Sequence, residues 1–191
     1  TELDYLLSLR GEADVKFDVI TGRNIRSTSK PDRFSETCQV LTDHLLPGGR
    51  LVYSQNIPRH TQRLYDLVEW GRDTKLRDKV IAAEEAIYSD QDDPMVNWDE
   101  GDLKAALEAT GLADVHVTIE EQAEERLVNV ASLDRWFGAG EAEGRPSYRQ
   151  RLLAGGLTEA EAGKVEKLFR NQLLDQAVTW QSRLAYTRAE K

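Results

Sequence analysis

The feature that most constrains this chain is a pair of short apolar runs separated by one helix-length segment. Val15-Lys16-Phe17-Asp18-Val19-Ile20 is apolar enough for a buried strand and stops at Thr21-Gly22-Arg23-Asn24, a loop signal. After the polar stretch from Ser27 to Pro31, Phe34, Cys38, Leu41 and Leu45 recur at helical spacing, which predicts one face of a helix ending near Leu46. Pro47-Gly48-Gly49 then breaks it, because proline cannot continue a helix and glycine accepts the left-handed turn. Arg50-Leu51-Val52-Tyr53-Ser54-Gln55 follows as a second strand. Strand, helix and strand in this order form the right-handed crossover of an open parallel sheet, whose ligands lie at the carboxyl ends of the strands.

Between Arg59 and Tyr88 the apolar residues fall on helical faces, first Leu64, Leu67 and Val68, then Leu76, Val80, Ala83 and Ile87. Residues 59–98 are therefore expected to be a helical insertion or lid, interrupted by Ser89-Asp90-Gln91-Asp92-Asp93-Pro94. A further helix should open at Asp99, whose carboxylate can cap the first turn, and close at Gly111. Alternation at Val115, Val117 and Ile119 predicts a strand, followed by a solvated acidic segment from Glu120 to Arg126. Leu133, Trp136 and Phe137 mark a short helix, and Gly138, Gly140 and Gly144 a flexible joint. Thr158 with Glu161 is a capping box opening a long helix through Val165, Leu168, Phe169 and Leu173. Val178, Trp180, Ser182, Leu184 and Tyr186 then alternate with polar residues as a half-buried strand.

A chain of 191 residues encloses one main core, or one core and a helical appendage. Its hydrophobic fraction of 40% is that of a globular protein, and no apolar run reaches the roughly 20 residues that span a bilayer. No basic start followed by an apolar stretch marks a secretory signal. Because Thr1 leads directly into what reads as a domain interior, the chain is expected to be a fragment of a longer protein. The net charge of −9 opposes direct nucleic-acid binding, and clusters such as Arg59-His60-Arg63 and Arg145-Arg149-Arg151 read as solvated helix faces. One cysteine, Cys38, excludes a disulfide and a cysteine-based zinc site within the chain and fits a cytoplasmic location.

Set end to end, these elements resemble the later half of a class I S-adenosylmethionine-dependent methyltransferase. Phe17-Asp18-Val19-Ile20-Thr21-Gly22-Arg23-Asn24-Ile25 is similar to the fourth-strand segment of that family, and Leu45-Leu46-Pro47-Gly48-Gly49-Arg50-Leu51-Val52 to the turn into the fifth. Asp102-Leu103 to Gly111-Leu112, with Val115-His116-Val117, resembles its next helix and sixth strand. More particularly, Pro58 to Tyr65, Ala83 to Tyr88 and Asp92 to Trp98 resemble the methyltransferase-like region at the C-terminal end of some bacterial AAA ATPases of the replication-associated recombination type. The expected fold is therefore α/β, an incomplete Rossmann-like open sheet with inserted and C-terminal helices, in a single partial domain over residues 1–191. The family's glycine-rich turn and the acidic residue of its second strand would precede Thr1. The resemblance thus implies S-adenosylmethionine for the complete domain and none for this fragment. No Gly-x-x-x-x-Gly-Lys-Ser/Thr occurs, so any ATPase would lie upstream.

The resemblance places the cofactor's reactive end at Gly22, Arg23 and Asn24, where glycine allows close approach and asparagine both donates and accepts; the ordinary reading is a strand-to-helix turn. Asn56, Arg59 and His60 follow the next strand end and are substrate-side candidates, although a histidine opening a helix is more often structural, and no carboxylate partner can be assigned. Asn97 and Trp98 are also candidates, against the reading that Asp99 and Asp102 start the next helix while Trp98 staples onto it. Glu84, Glu85, Asp90, Asp92 and Asp93 lack the order of a calcium loop and read as solvated charge, while His44 and His116 are too far apart to suggest zinc. No metal is expected. Trp136, Trp180 and Tyr186 read as core or docking aromatics.

Two functions follow. In one, the complete domain transfers a methyl group and this chain supplies the acceptor-side wall and lid. In the other, a non-catalytic interaction or oligomerisation module is attached to an AAA ATPase acting in DNA replication or recombination. Either way the upstream remainder of the parent chain is the expected partner, and the half sheet's open edge predicts self-association.

Overall fold

The computed structural model describes residues 15–25, 34–90, 93, 96–139 and 146–191. Outside them lie Thr1, the stretch 27–31, Asp92, Pro94, Met95, Gly140, Gly144 and Arg145. The chain divides into two compact units, one of residues 1–61, 92–122 and 182–191, the other of residues 62–91 and 123–181.

In the first unit, β1 (Phe17–Arg23) lies parallel to β2 (Leu45–Asn56), with helix α1 (Phe34–Asp43) between them in sequence. The crossover read from the sequence is thus present. β4 (Gln176–Glu190) returns antiparallel to β2, and the four-stranded sheet has the order β1-β2-β4-β3, with β3 spanning Ala113–Val128. This is the mixed α/β open sheet expected. The unit's core forms where Phe34, Cys38 and Leu41 of α1 meet Leu51 and Tyr53 of β2, Leu103 and Leu107 of α3 (Glu100–Glu108), and Ala185 and Ala189 of β4.

Three expectations change here. The helix stops at Asp43, and Leu45 already belongs to the strand, so Pro47-Gly48-Gly49 is a bulge inside β2 rather than a helix stop. The register moves from Phe17 beside Leu45 to Val19 beside Arg50, with Gly48 at a φ of 77°. A Cβ on Gly49 would lie 2.8 Å from the Leu46 carbonyl oxygen and 3.1 Å from that of Phe17. Glycine is needed at both positions, and Gly48 N–H and Gly49 C=O find their partners in the backbone of Lys191. Second, β1 is not a buried strand, since Phe17, Asp18 and Val19 are exposed. Third, the alternation of β4 changes phase at Leu184 and Ala185, which are both buried, so Tyr186 points outward instead of joining the core.

In the second unit, α2 (Thr74–Ser89), α4 (Val130–Phe137), α5 (Tyr148–Ala154) and α6 (Glu159–Leu173) enclose a core of Leu76, Val80, Leu133, Leu152, Val165 and Phe169. Thr158 and Glu161 form the expected capping box, and Asn129 caps α4. α5 was not anticipated, although its signal, a reciprocal box between Ser147 and Gln150, is present in the sequence. The segment expected to be helical around Leu64 to Val68 is only a single 3-10 turn, Leu64–Leu67. The acidic stretch 120–126 is solvated as expected, but its backbone continues β3. Trp136 and Trp180 are half-buried and pack against this core, stacked with centroids 6.4 Å apart.

Gly155 sits where α5 meets α2, and a Cβ there would stand 2.5 Å from the Ala83 Cβ and 2.9 Å from its Cα. Gly155→Ala is expected to cost about 1–3 kcal/mol by overpacking, read as a lower urea midpoint with an unchanged slope.

Candidate functional site

The carboxyl ends of β1 and β2 come together through one asparagine. Asn24, just past β1, adopts a φ of 53°, a left-handed conformation that asparagine tolerates better than most residues. Its amide donates to the Ser54 carbonyl at 2.8 Å, and its Oδ1 accepts from the Asn56 amide at 3.2 Å. Gly22, Arg23, Asn24 and Asn56 are therefore neighbours on one sheet edge. A Cβ on Gly22 would stand 2.9 Å from Ile25 Cδ1, so the space the glycine opens is filled by the chain's own isoleucine.

Arg59 and His60 lie in the 3-10 turn Pro58–His60 that follows β2. The Arg59 guanidinium donates to the Asp99 carboxylate and, at 2.8 Å, to Asn97 Oδ1, with Asp102 at 3.7 Å. Asp99 is also the N-cap of α3: it accepts from the amides of Gly101 and Asp102, and the Asp102 carboxylate accepts from the Asp99 amide. Burial pushes the Asp99 carboxyl up, but the Asp102 amide, Arg59 and the Gly101 amide outweigh it and hold it below the usual range. His60 Nε2 lies 3.1 Å from the Glu100 carboxylate, and Nδ1 lies 3.5 Å from Arg183. Glu100 is the carboxylate neighbour that sequence spacing could not assign. Trp98 is 1% exposed and belongs to the core, so it leaves the group of site candidates by position. Asn97, Arg59 and His60 gather at the start of α3, where they tie the turn after β2 to the helix cap.

The acidic group divides differently from the expectation of solvated charge. Glu84 is buried and accepts from the Leu64 and Tyr65 amides and the Tyr148 hydroxyl, whereas Glu85 pairs with Arg63 and Tyr65. Among the described residues no group of histidine, cysteine and carboxylate side chains is placed to hold a metal ion. Nor is any helix among them long and apolar enough to cross a membrane. His44 is buried with Nδ1 2.8 Å from the Val15 carbonyl oxygen, while His116 lies on the exposed side of β3. There, His116, Thr118, Val52, Tyr186, Thr187 and Arg188 line a shallow open cleft of about 400 Å3.

No protein-family model matches this chain, and no curated protein does. Among solved structures it is similar to a SAM-dependent methyltransferase from Archaeoglobus fulgidus, at 15% identity and a TM-score of 0.45 over 100% of this chain and 65% of that one. It is also similar to a putative methyltransferase from Bacillus halodurans, at 13% identity and a TM-score of 0.39 over 94% of this chain and 71% of that one. A third similar structure is the YcgJ protein from Bacillus subtilis, at 12% identity and a TM-score of 0.38 over 93% and 65% of the respective chains. The chain thus spans 65% of the length of the first of these structures.

Proposed function

We propose that this chain is the later half of a methyltransferase-like domain and forms the acceptor-side edge of a site for S-adenosylmethionine. The observation that carries this reading is the sheet itself: two parallel strands whose carboxyl ends meet at Asn24 and Asn56, and a last strand that returns antiparallel inside the sheet. Ligands of open α/β sheets lie beyond such strand ends. Gly22, Arg23, Asn24 and Asn56 would border one side of the cofactor, with the bridge from Asn24 to Asn56 setting the spacing of the two strand ends. The glycine-rich turn and the acidic strand end that the resemblance implies would come from elsewhere in the intact protein. When bound, S-adenosylmethionine supplies an electrophilic methyl group. The contribution of this chain is to position the acceptor, through an edge that the Asn24 bridge holds in one geometry.

A second reading, an interaction module attached to an AAA ATPase, is favoured by the engagement of Arg59, His60 and Asn97 within the chain. Calorimetric titration of S-adenosylhomocysteine into the intact protein and into this chain separates the two. Methyl transfer predicts binding by the intact protein, weakened about tenfold by Asn24→Ala, which removes the bridge that fixes the two strand ends relative to each other. Binding by neither would favour the interaction module. Tight binding by this chain alone would show that the edge at Asn24 holds more of the site than is assigned to it.

A further inference from the structure

The outward face of the first unit's sheet is polar along most of its register. Arg50 stands beside Glu190, Val52 beside Arg188 and Ser54 beside Tyr186. On β3, His116 and Thr118 alternate with Val115, Val117 and Ile119, which pack on the core, so both face outward as well. The shallow cleft on this face thus receives the Arg188 guanidinium, the His116 imidazole and the hydroxyls of Thr118 and Tyr186, beside the Val52 side chain.

These donors are not spent within the chain. In the same unit Arg50, Arg59 and Arg183 each hold a carboxylate, and His44 and His60 each have a polar partner. Among the described residues no acceptor lies within hydrogen-bond distance of the side chains of His116, Thr118, Tyr186 or Arg188. No carboxylate lines the cleft. Asp114, Glu120 and Glu190 follow His116, Thr118 and Arg188 at a spacing of two residues, about 7 Å along a strand, and Glu190 is engaged by Arg50. At that spacing an exposed repulsion is weaker than direct contact with a guanidinium, and the net charge of −9 is screened beyond about 10 Å at 0.1 M salt.

We propose that this cleft binds a small phosphate monoester, its phosphate on Arg188, His116 and Thr118 and its organic group against Val52 and the Tyr186 ring. A guanidinium fork takes two oxygens of a phosphate and leaves the third to the imidazole and the hydroxyl, whereas a planar carboxylate has only two oxygens to offer. Val52 and Tyr186, 40% and 41% exposed, supply the apolar contact that inorganic phosphate cannot use. The volume of about 400 Å3 is that of a small-molecule site. Val52 precedes the strand end at Asn56 by four residues, about 13 Å, so this cleft is separate from the edge assigned to S-adenosylmethionine and does not depend on that assignment.

Phenyl phosphate titrated calorimetrically into the intact protein is expected to bind with a Kd of about 1 mM or below, and more tightly than inorganic phosphate or benzoate. Arg188→Met should weaken it by about tenfold or more, the loss of a charge-assisted pair. Thr118→Val, an exposed change that keeps the shape of the side chain, should weaken it less, and Lys104→Met on α3 should leave it unchanged. Saturating S-adenosylhomocysteine should not alter the affinity. No binding, or an affinity indifferent to Arg188→Met, would overturn the proposal. Benzoate bound as tightly as phenyl phosphate would also overturn it, by reducing the cleft to an unselective positive patch. Competition with S-adenosylhomocysteine would overturn it too, by moving the ligand to the strand ends.

Discussion

Glu84→Ala is expected to destabilise the second unit by about 3–5 kcal/mol, because it leaves two backbone amides and a tyrosine hydroxyl without their acceptor. Glu84 is 1% exposed on α2, and its carboxylate accepts from the amides of Leu64 at 2.6 Å and Tyr65 at 3.2 Å and from the Tyr148 hydroxyl at 2.6 Å. One side chain thus fastens α2, the 3-10 turn at Leu64 and α5. Burial raises its pKa above the ordinary 4.5, against the opposing pull of Tyr148, the two amides and Arg63. A folded pKa above the unfolded one means that the native state holds the proton more tightly. The corresponding stabilisation is complete below the unfolded pKa and is lost as pH rises through the folded one. Glu84→Gln should therefore cost less than alanine and remove this pH dependence. In urea unfolding, the wild type should lose stability relative to the glutamine variant as the pH rises above 4.5. A wild type that gains on the variant over that range would show that the hydrogen bonds, not burial, decide the charge state.

Phe169→Ala is the second large effect, at about 3–5 kcal/mol for removing a fully buried ring from a packed core. Phe169 is 0% exposed, and its ring centroid lies 5.3 Å from that of Phe137, 6.1 Å from Tyr148, 6.4 Å from Trp136 and 6.5 Å from Trp70. Most of these pairs meet edge-on, an arrangement that adds to burial and that a smaller side chain cannot reproduce. Trp70, Trp136 and Trp180 belong to the second unit and Trp98 to the first. The variant should lower the urea midpoint seen by fluorescence and reduce the near-ultraviolet aromatic signal. An unchanged midpoint would mean that the cluster collapses into the space at little cost.

What could be read in the sequence was whatever depends on near neighbours. The crossover from β1 through α1 to β2, the caps at Asp99 and Thr158, and the strands of β3 and β4 all follow from local periodicity and capping chemistry. The strand ends at Gly22 to Asn24 and at Asn56 were visible for the same reason. The site beyond them was less legible, because Arg59 meets Asp99 and His60 meets Glu100 across 40 residues, and no spacing rule reaches that far. The helix boundary near Leu46 was misplaced because Pro47-Gly48-Gly49 serves a bulge as well as it serves a helix stop, and only pairing with β1 and Lys191 distinguishes them.

By itself, then, the sequence determined an α/β chain with a parallel strand pair and the order of most of its helices, since each rests on patterns a few residues long. Tertiary structure alone decided where β4 inserts, that Tyr186 faces outward while Thr187 turns inward, and which of two adjacent glutamates is buried. Glu84 and Glu85 are the same residue type one position apart on α2. A helix turns each residue by about 100°, which aims Glu84 at the amides of Leu64 and Tyr65 and Glu85 at Arg63. Burial therefore raises the pKa of the first, while the hydrogen bond from Arg63, the largest influence on the second, lowers it.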